Sequence, residues 1–233
     1  MDHLDSALAP SAFVTEDDPP NRRANSMWLG SDQTLQHLRF RRGAEVTIDQ
    51  LAAALRNTRG AVDLTFSAPQ SVSWVWALAG DEQRAGLERA MFVAADKTLG
   101  YLTQTVNFAA SVTLHATART ADIPDQPARP PLLHTHCHMI GVLDGDRALQ
   151  PLNTRPLNNP DRIRELGAVN RAVLADELVM LGYSIKGQAG PDRRYFEIEG
   201  VPTGMFHPRL WDYAQCGGLL GDDFLREWDG PCF

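Results

Sequence analysis

Two segments in the middle of the chain alternate strictly between apolar and polar residues. In residues 108–117 the apolar positions carry Phe, Ala, Val and Leu, and the opposite positions carry Ser, Thr and His. Residues 132–143 (LLHTHCHMIGVL) resume the pattern after a proline-rich loop at 121–131. Successive side chains of a strand point to opposite faces, so a period of two predicts two β-strands. Strands that follow one another along a chain usually lie side by side, and we expect these two to pair.

Helix and strand signals on either side complete the order of elements. Thr47 and Gln50 form a capping-box pattern and predict a helix over 47–57. Asn159 before Pro160 predicts a helix start, because proline lacks an N–H that the first turn leaves unbonded. The other predicted elements are a strand at 61–67, a short buried helix at 71–79 with a strand as the alternative, a helix from residue 81, and a hairpin of 183–186 with 195–198. This order predicts an α/β sandwich with a largely antiparallel sheet.

The composition is that of a globular protein. The chain has 233 residues, of which 43% are apolar and 22% are charged. Its three cysteines are few and far apart, so we expect no disulfide framework and a reducing compartment fits. The sequence has no run of 18 apolar residues and no signal-peptide pattern at its start. We therefore expect a cytoplasmic protein without a membrane span.

The charge is unevenly distributed along the chain. A net charge of −7 argues against a uniformly basic nucleic-acid binder. Residues 1–20 carry five acidic residues and no basic one, and we expect them to form a flexible acidic arm. Residues 21–43 carry five arginines against one aspartate. Solvated surface charge is one interpretation of this segment. The alternative is a patch that faces phosphates, formed by Arg22, Arg23, Arg39, Arg41 and Arg42.

Three histidines lie two residues apart in the second of the central strands. His134, His136 and His138 therefore share one face, and His115 lies on the polar face of the preceding strand. If the strands pair, His115 approaches His134 and His136, and converging imidazoles form a site for a first-row metal ion. Packing alone explains three such histidines poorly, because buried imidazoles need hydrogen-bond partners. The spacing does not decide which three of the four histidines are ligands.

Asp63 is the acidic residue of a predicted strand that is otherwise apolar or hydroxyl-bearing. One interpretation is a carboxylate that holds a ligand histidine in a single tautomer. The alternative is a cap at the end of the strand. Cys137 falls on the face opposite the histidines, and we expect it to be a small core residue.

Several of these residues belong to motifs that resemble those of TrwC/TraI-type (MobF) conjugative relaxases, a family of HUH endonucleases. Residues 63–73 (DLTFSAPQSVS) are similar to the family signature DLTFSAPKSVS, and residues 133–136 (LHTH) to its metal motif. Weaker similarities, in the family's order, are 28–30 (WLG), 115–119 (HATAR), 178–183 (LVMLGY) and 196–202 (FEIEGVP).

The resemblance implies one relaxase-like domain over residues 21–233, with the part from about residue 209 left open. Its fold would be a central, largely antiparallel five-stranded sheet with flanking helices. Its activity would be to bind single-stranded DNA and to nick and rejoin it by transesterification, through a tyrosine, at a plasmid or mobile-element transfer origin in the bacterial cytoplasm.

The resemblance also implies roles for individual residues. His115, His134 and His136 would hold a divalent metal ion (Mg²⁺, Mn²⁺ or Zn²⁺), and Asp63 would be the acid beside the site. Arg119 would contact phosphate or the surrounding network. The expected DNA-binding set joins Arg119 with Gln70, Ser71 and the five arginines of residues 21–43.

The sequence departs from the family's pattern where the nucleophile is expected. The family places its tyrosines before the WLG-like element, whereas residues 1–30 contain no tyrosine, and Gln70 replaces the usual lysine. One explanation is a tyrosine upstream of the first residue, and another is the loss of nicking with DNA binding retained. A third is a substitute nucleophile, since imidazole accepts phosphoryl groups, and the candidates are His3, His37 and His138.

Other assignments stay open beside the relaxase. Tyr183 would match the nucleophile of a different HUH class, although packing at a helix end is the simpler role for it. A degenerate relaxase-like accessory module would bind DNA without cutting it. A metal phosphodiester hydrolase would use Asp63 as a general base. The length leaves room for little beyond the relaxase-like domain, so strand separation would need a separate helicase or other conjugation proteins.

Overall fold

The computed structural model describes residues 26–57, 62–117, 131–143, 149–150, 152, 157, 159–187 and 195–201. The predictions for the acidic arm, for the part from residue 209 and for His3, Arg22, Arg23 and Arg119 lie outside these residues. Among the described helices, none is long and apolar enough to cross a membrane.

The described part of the chain is a mixed α/β structure. Its elements are β1 (Ser26–Gly30), α1 (Asp32–His37), α2 (Ile48–Asn57), β2 (Val62–Ser67), α3 (Gln70–Leu78), α4 (Asp81–Thr103), β3 (Ala109–Thr117), β4 (Pro131–Ile140), β5 (Val142–Leu143), β6 (Leu149–Gln150), α5 (Pro160–Met180), β7 (Ile185–Gly187) and β8 (Phe196–Ile198). The main sheet has the strand order β1-β3-β4-β2, and β5–β6 and β7–β8 form two smaller pairs. The pairs β1–β3, β5–β6 and β7–β8 are antiparallel. The predicted α/β class with a largely antiparallel sheet is confirmed, with four described strands in the main sheet rather than five.

The predicted helices form because their local signals are strong. Thr47 Oγ1 accepts the N–H of Gln50 at 3.2 Å, and Gln50 Oε1 accepts the N–H of Thr47 at 3.2 Å. This reciprocal pair is the predicted capping box at the start of α2. Asn159 Oδ1 accepts the N–H of Asp161 at 2.9 Å and starts α5 in the same way. The predicted short buried helix is confirmed as α3, which is buried from Ser71 to Leu78.

The alternation in β3 does not separate a buried face from an exposed one. Ser111 and Thr113, on the polar side of the pattern, are 0% and 2% exposed. Both faces of this strand are therefore covered at these positions, and only small hydroxyl-bearing side chains mark the second face. His115 follows on the same side and is half-buried.

Contacts between residues divide the chain into two compact units, each assembled from several stretches. The first comprises residues 1–66, 94–114 and 135–170, and the second comprises residues 67–93, 115–134 and 171–233. The boundaries fall inside β2, α4, β3, β4 and α5. The single relaxase-like domain over residues 21–233 stays a prediction.

Trp28 lies at the centre of the first unit's core. It is fully buried, its ring stacks on Phe40 with centroids 4.1 Å apart, and its Nε1 donates to Gln50 Oε1 at 3.2 Å. Gly30, two residues later, has φ +122°, and a Cβ there would stand 2.4 Å from the carbonyl oxygen of Phe108. Only glycine fits so close to the neighbouring strand. The WLG element thus has a structural cause in packing and backbone approach.

In the second unit, Ser71 ties the start of α3 to β8. Its Oγ accepts the N–H of Ile198 at 2.7 Å, and its own N–H donates to Glu197 Oε2 at 2.9 Å. Trp76 Nε1 donates to Glu88 Oε1 at 2.8 Å and joins α3 to α4. Residues 63–73, which resemble the family signature, therefore run from β2 into α3. Hydrogen bonds join α3 to β8 at its start and to α4 near its end.

Candidate metal centre

The sheet order brings three imidazoles together. β3 and β4 are neighbours, as the sequence predicts for consecutive strands. One nitrogen from each of His115, His134 and His136 lies within 4.8 Å of the other two. The rings of His115 and His134 meet edge to face, with their centroids 5.3 Å apart. Three nitrogen donors at this separation fit the coordination sphere of a first-row metal ion after small shifts of the side chains.

A backbone carbonyl orients His134. Its Nδ1 lies 2.8 Å from the carbonyl oxygen of Leu132, which only accepts, so Nδ1 carries the proton. Nε2 is then the nitrogen whose lone pair can bind a metal ion. His134 is 7% exposed, so this orientation is held in a buried setting.

A carboxylate orients His136 from the other neighbouring strand. Asp63 Oδ2 on β2 lies 2.7 Å from His136 Nδ1, and Thr65 Oγ1 lies 3.3 Å from the same nitrogen. A ligand histidine whose second nitrogen is hydrogen-bonded to a carboxylate is held in one ring orientation. This geometry favours the interpretation of Asp63 as an orienting carboxylate over that of a strand cap. Sequence reasoning missed Thr65, although the i, i+2 spacing in a strand puts it on the face of Asp63.

His138 lies on the same face, next to His136 along β4. The two rings stack with centroids 5.8 Å apart, and His138 Nε2 lies 4.0 Å from Asp63 Oδ2. Burial lowers the pKa of His138, while the charge of Asp63 opposes that shift. On the opposite face, Cys137 is fully buried, and burial raises the pKa of its thiol. Cys137 is therefore an inert core residue, as predicted.

Comparisons with known proteins identify the family. The family model described as TrwC relaxase matches residues 19–208. The chain belongs to the TrwC relaxase family. A search of curated proteins found no match.

Solved structures of relaxases share the fold. One is the conjugative relaxase TrwC in complex with mutant OriT DNA. It is 25% identical with a TM-score of 0.62, and the match covers 76% of this chain and 69% of that one. A metal-bound TrwC complex with OriT DNA is 22% identical with a TM-score of 0.68, covering 97% and 85%. A TrwC complex with a 27-mer DNA comprising the recognition hairpin and the cleavage site is 23% identical with a TM-score of 0.61, covering 86% and 81%.

The predicted DNA-binding residues of the relaxase signature lie in different surroundings. Gln70 is exposed at the first position of α3. Ser71 is 0% exposed, and its hydroxyl and its N–H are both bonded to β8. Ser71 therefore has no surface to offer a DNA strand in this structure, and its bonds are structural.

The described arginines of the predicted phosphate patch also differ. Arg42 donates to the carbonyl oxygen of Gly30 at 2.7 Å and to Asp96 Oδ1 at 2.6 Å, so it braces the fold. Arg39 and Arg41 are exposed. Arg39 follows α1 with φ 60°, in the left-handed region that favours glycine.

The described tyrosines have different surroundings. Tyr101, on α4, donates its hydroxyl to Glu165. Tyr183 is half-buried just after α5, and burial raises the pKa of its phenol. The ring of Tyr195 lies 4.7 Å from the guanidinium of Arg171. Two candidates for a substitute nucleophile lie in the described part of the chain. His37 is exposed at the end of α1, and His138 belongs to a second group of possible metal ligands, with Asp63 and His136.

Proposed function

We propose that this chain is a metal-dependent relaxase that binds single-stranded DNA and nicks and rejoins it by transesterification at a plasmid or mobile-element transfer origin. The observation that carries the proposal is the convergence of His115, His134 and His136 in a member of the TrwC relaxase family. The relatives that share its fold were solved with OriT DNA, and one of them in a metal-bound form.

The three histidines would hold the metal ion. Of Mg²⁺, Mn²⁺ and Zn²⁺, the donor set of three imidazole nitrogens suits Zn²⁺ best, because Mg²⁺ and Mn²⁺ favour oxygen ligands. A divalent ion bound there would neutralise charge on the scissile phosphate. Asp63 would keep the His136 ring oriented through Nδ1, and the carbonyl of Leu132 would do the same for His134. Arg39 and Arg41, with Gln70 at the start of α3, would contact the DNA backbone.

A DNA-binding accessory module without nicking is the second candidate. The observation that favours it is the surroundings of two described tyrosines, since the Tyr101 hydroxyl is bonded to Glu165 and Tyr183 is half-buried. In a nicking relaxase, His138 would be the described candidate for a substitute nucleophile. A separate helicase or other conjugation proteins would supply strand separation, in the bacterial cytoplasm.

Covalent capture of DNA separates the candidates. The protein would be incubated with Mn²⁺ and a random pool of labelled single strands, which avoids the need for a known origin, and then denatured in SDS. A relaxase gives an SDS-stable adduct that disappears in the His134→Ala/His136→Ala variant. Salt-sensitive binding without an adduct supports the accessory module. Turnover of a generic phosphodiester without DNA affinity supports a hydrolase and contradicts the relaxase.

A further inference from the structure

A second group of possible metal ligands lies on the same sheet face. One ligand atom from each of Asp63, His136 and His138 lies within 4.8 Å of the other two. Asp63 Oδ2 is 2.7 Å from His136 Nδ1 and 4.0 Å from His138 Nε2. Around an ion with bonds of about 2.1 Å, adjacent ligand atoms are about 3.0–3.4 Å apart. Shifts of about 1 Å or less would therefore bring the distances from Asp63 Oδ2 to both histidine nitrogens to those between adjacent ligands of one ion.

The chemistry of this group is that of a metal site in its own right. Two imidazoles and one carboxylate on one face bind first-row divalent ions and leave further coordination positions open. Among the described residues, His138 is absent from the group of three histidines, and the nitrogen that it turns toward Asp63 is Nε2.

The two groups share His136, and this sharing makes them competitors. A neutral imidazole has one protonated and one unprotonated nitrogen. When Nδ1 donates its proton to Asp63, Nε2 is the ligand nitrogen for the group of three histidines. When Nδ1 is the unprotonated nitrogen, it faces Asp63 and His138 instead. One neutral ring therefore serves one group at a time.

We propose that Asp63, His136 and His138 form an alternative site for a first-row divalent ion, in competition with the site of His115, His134 and His136. One chain then holds one ion in either of two positions. The proposal rests on the proposed metal site only through His136, and it does not depend on DNA cleavage.

Titration with Co²⁺ alone, followed by visible absorption, tests the two sites separately. The His115→Ala/His134→Ala variant removes two ligands of the first site and leaves the second group whole. We expect this variant to bind one Co²⁺ per chain with a visible spectrum different from that of the wild type. Its Co²⁺ affinity should be lower by about 10–100-fold, the size of the loss that follows when a metal site loses its supporting hydrogen bonds. Adding His138→Ala should weaken that residual binding at least tenfold further. The matched variant His138→Ala alone should retain the first site and a stoichiometry of one.

Equal Co²⁺ affinity of the double and triple variants overturns the proposal, as does a wild-type stoichiometry of two ions per chain. Because His134 is buried, the conservative pair His115→Gln/His134→Asn is measured in parallel, and circular dichroism checks that every variant compared is folded. The outcomes also separate this proposal from the proposed function. Failure of wild-type Co²⁺ binding defeats the first site, whereas failure confined to the double variants defeats only the alternative site.

Discussion

At the residue scale, the central feature is how each histidine ring is held. His134 is hydrogen-bonded to the carbonyl oxygen of Leu132, and His136 is hydrogen-bonded to the carboxylate of Asp63. The spacing of His134, His136 and His138 predicted that the three share a face, and the resemblance implied the ligand set. Neither predicted how the rings are oriented. Asp63 lies 73 residues before His136 in sequence and contacts it only because β2 and β4 are neighbours in the sheet.

The first prediction concerns Asp63. Asp63→Asn keeps the shape of the side chain but removes the carboxylate that orients the His136 ring through Nδ1, so Mn²⁺ affinity should fall by about 10–100-fold. Isothermal titration calorimetry measures the change. Asp161→Asn, on an exposed carboxylate that pairs with Arg164, is the control and should leave Mn²⁺ binding unchanged. Wild-type affinity in the Asp63 variant would show that the carboxylate does not support the site.

At the scale of elements, local signals predicted most helices and strands. The capping box of α2 and the Asn-Pro start of α5 are made by neighbouring residues, so the sequence suffices to locate them. The sequence predicted α3 as a short buried helix but kept a strand as the alternative, because a segment buried on every side loses its periodic pattern. The resemblance placed Ser71 in the expected DNA-binding set, because a motif's position gives no information on the burial of one side chain.

The second prediction concerns the bond between α3 and β8. Ser71→Ala leaves the N–H of the buried Ile198 without its acceptor, which should lower the free energy of unfolding by about 1–3 kcal/mol. Urea denaturation measures the loss, and Ser67→Ala, at the exposed end of β2, should cost much less. Affinity for single-stranded DNA should not change in a folded sample. Unchanged stability with weakened DNA binding would instead make Ser71 a direct DNA contact.

At the scale of the whole molecule, the uneven charge matters more than its total. The net charge of −7 includes an acidic segment at residues 1–20, followed by the arginines of residues 21–43. Of these arginines, the structure engages Arg42 in the fold and leaves Arg39 and Arg41 exposed. Composition alone therefore could not separate structural from available cations, because that distinction depends on contacts between residues far apart in the sequence.

The third prediction concerns the salt dependence of DNA binding. If Arg39 and Arg41 contact phosphates, replacing either by alanine should reduce the slope of log affinity against log salt by about 0.7–1, as expected for one lost contact. Fluorescence anisotropy with a labelled single strand at several salt concentrations measures the slope. Arg164→Ala, which removes an exposed arginine of α5, is the control. Unchanged slopes in both arginine variants would place the DNA elsewhere.

The most direct test of the account is the stoichiometry of Mn²⁺ binding to the wild-type chain and to the His134→Ala/His136→Ala variant, by calorimetry on folded samples. Removing His134 and His136 takes away two ligands of the first site and the ring that both sites share. The account predicts one ion per wild-type chain and no saturable binding in the variant. The absence of saturable binding to the wild type, or equal binding to both proteins, would contradict it.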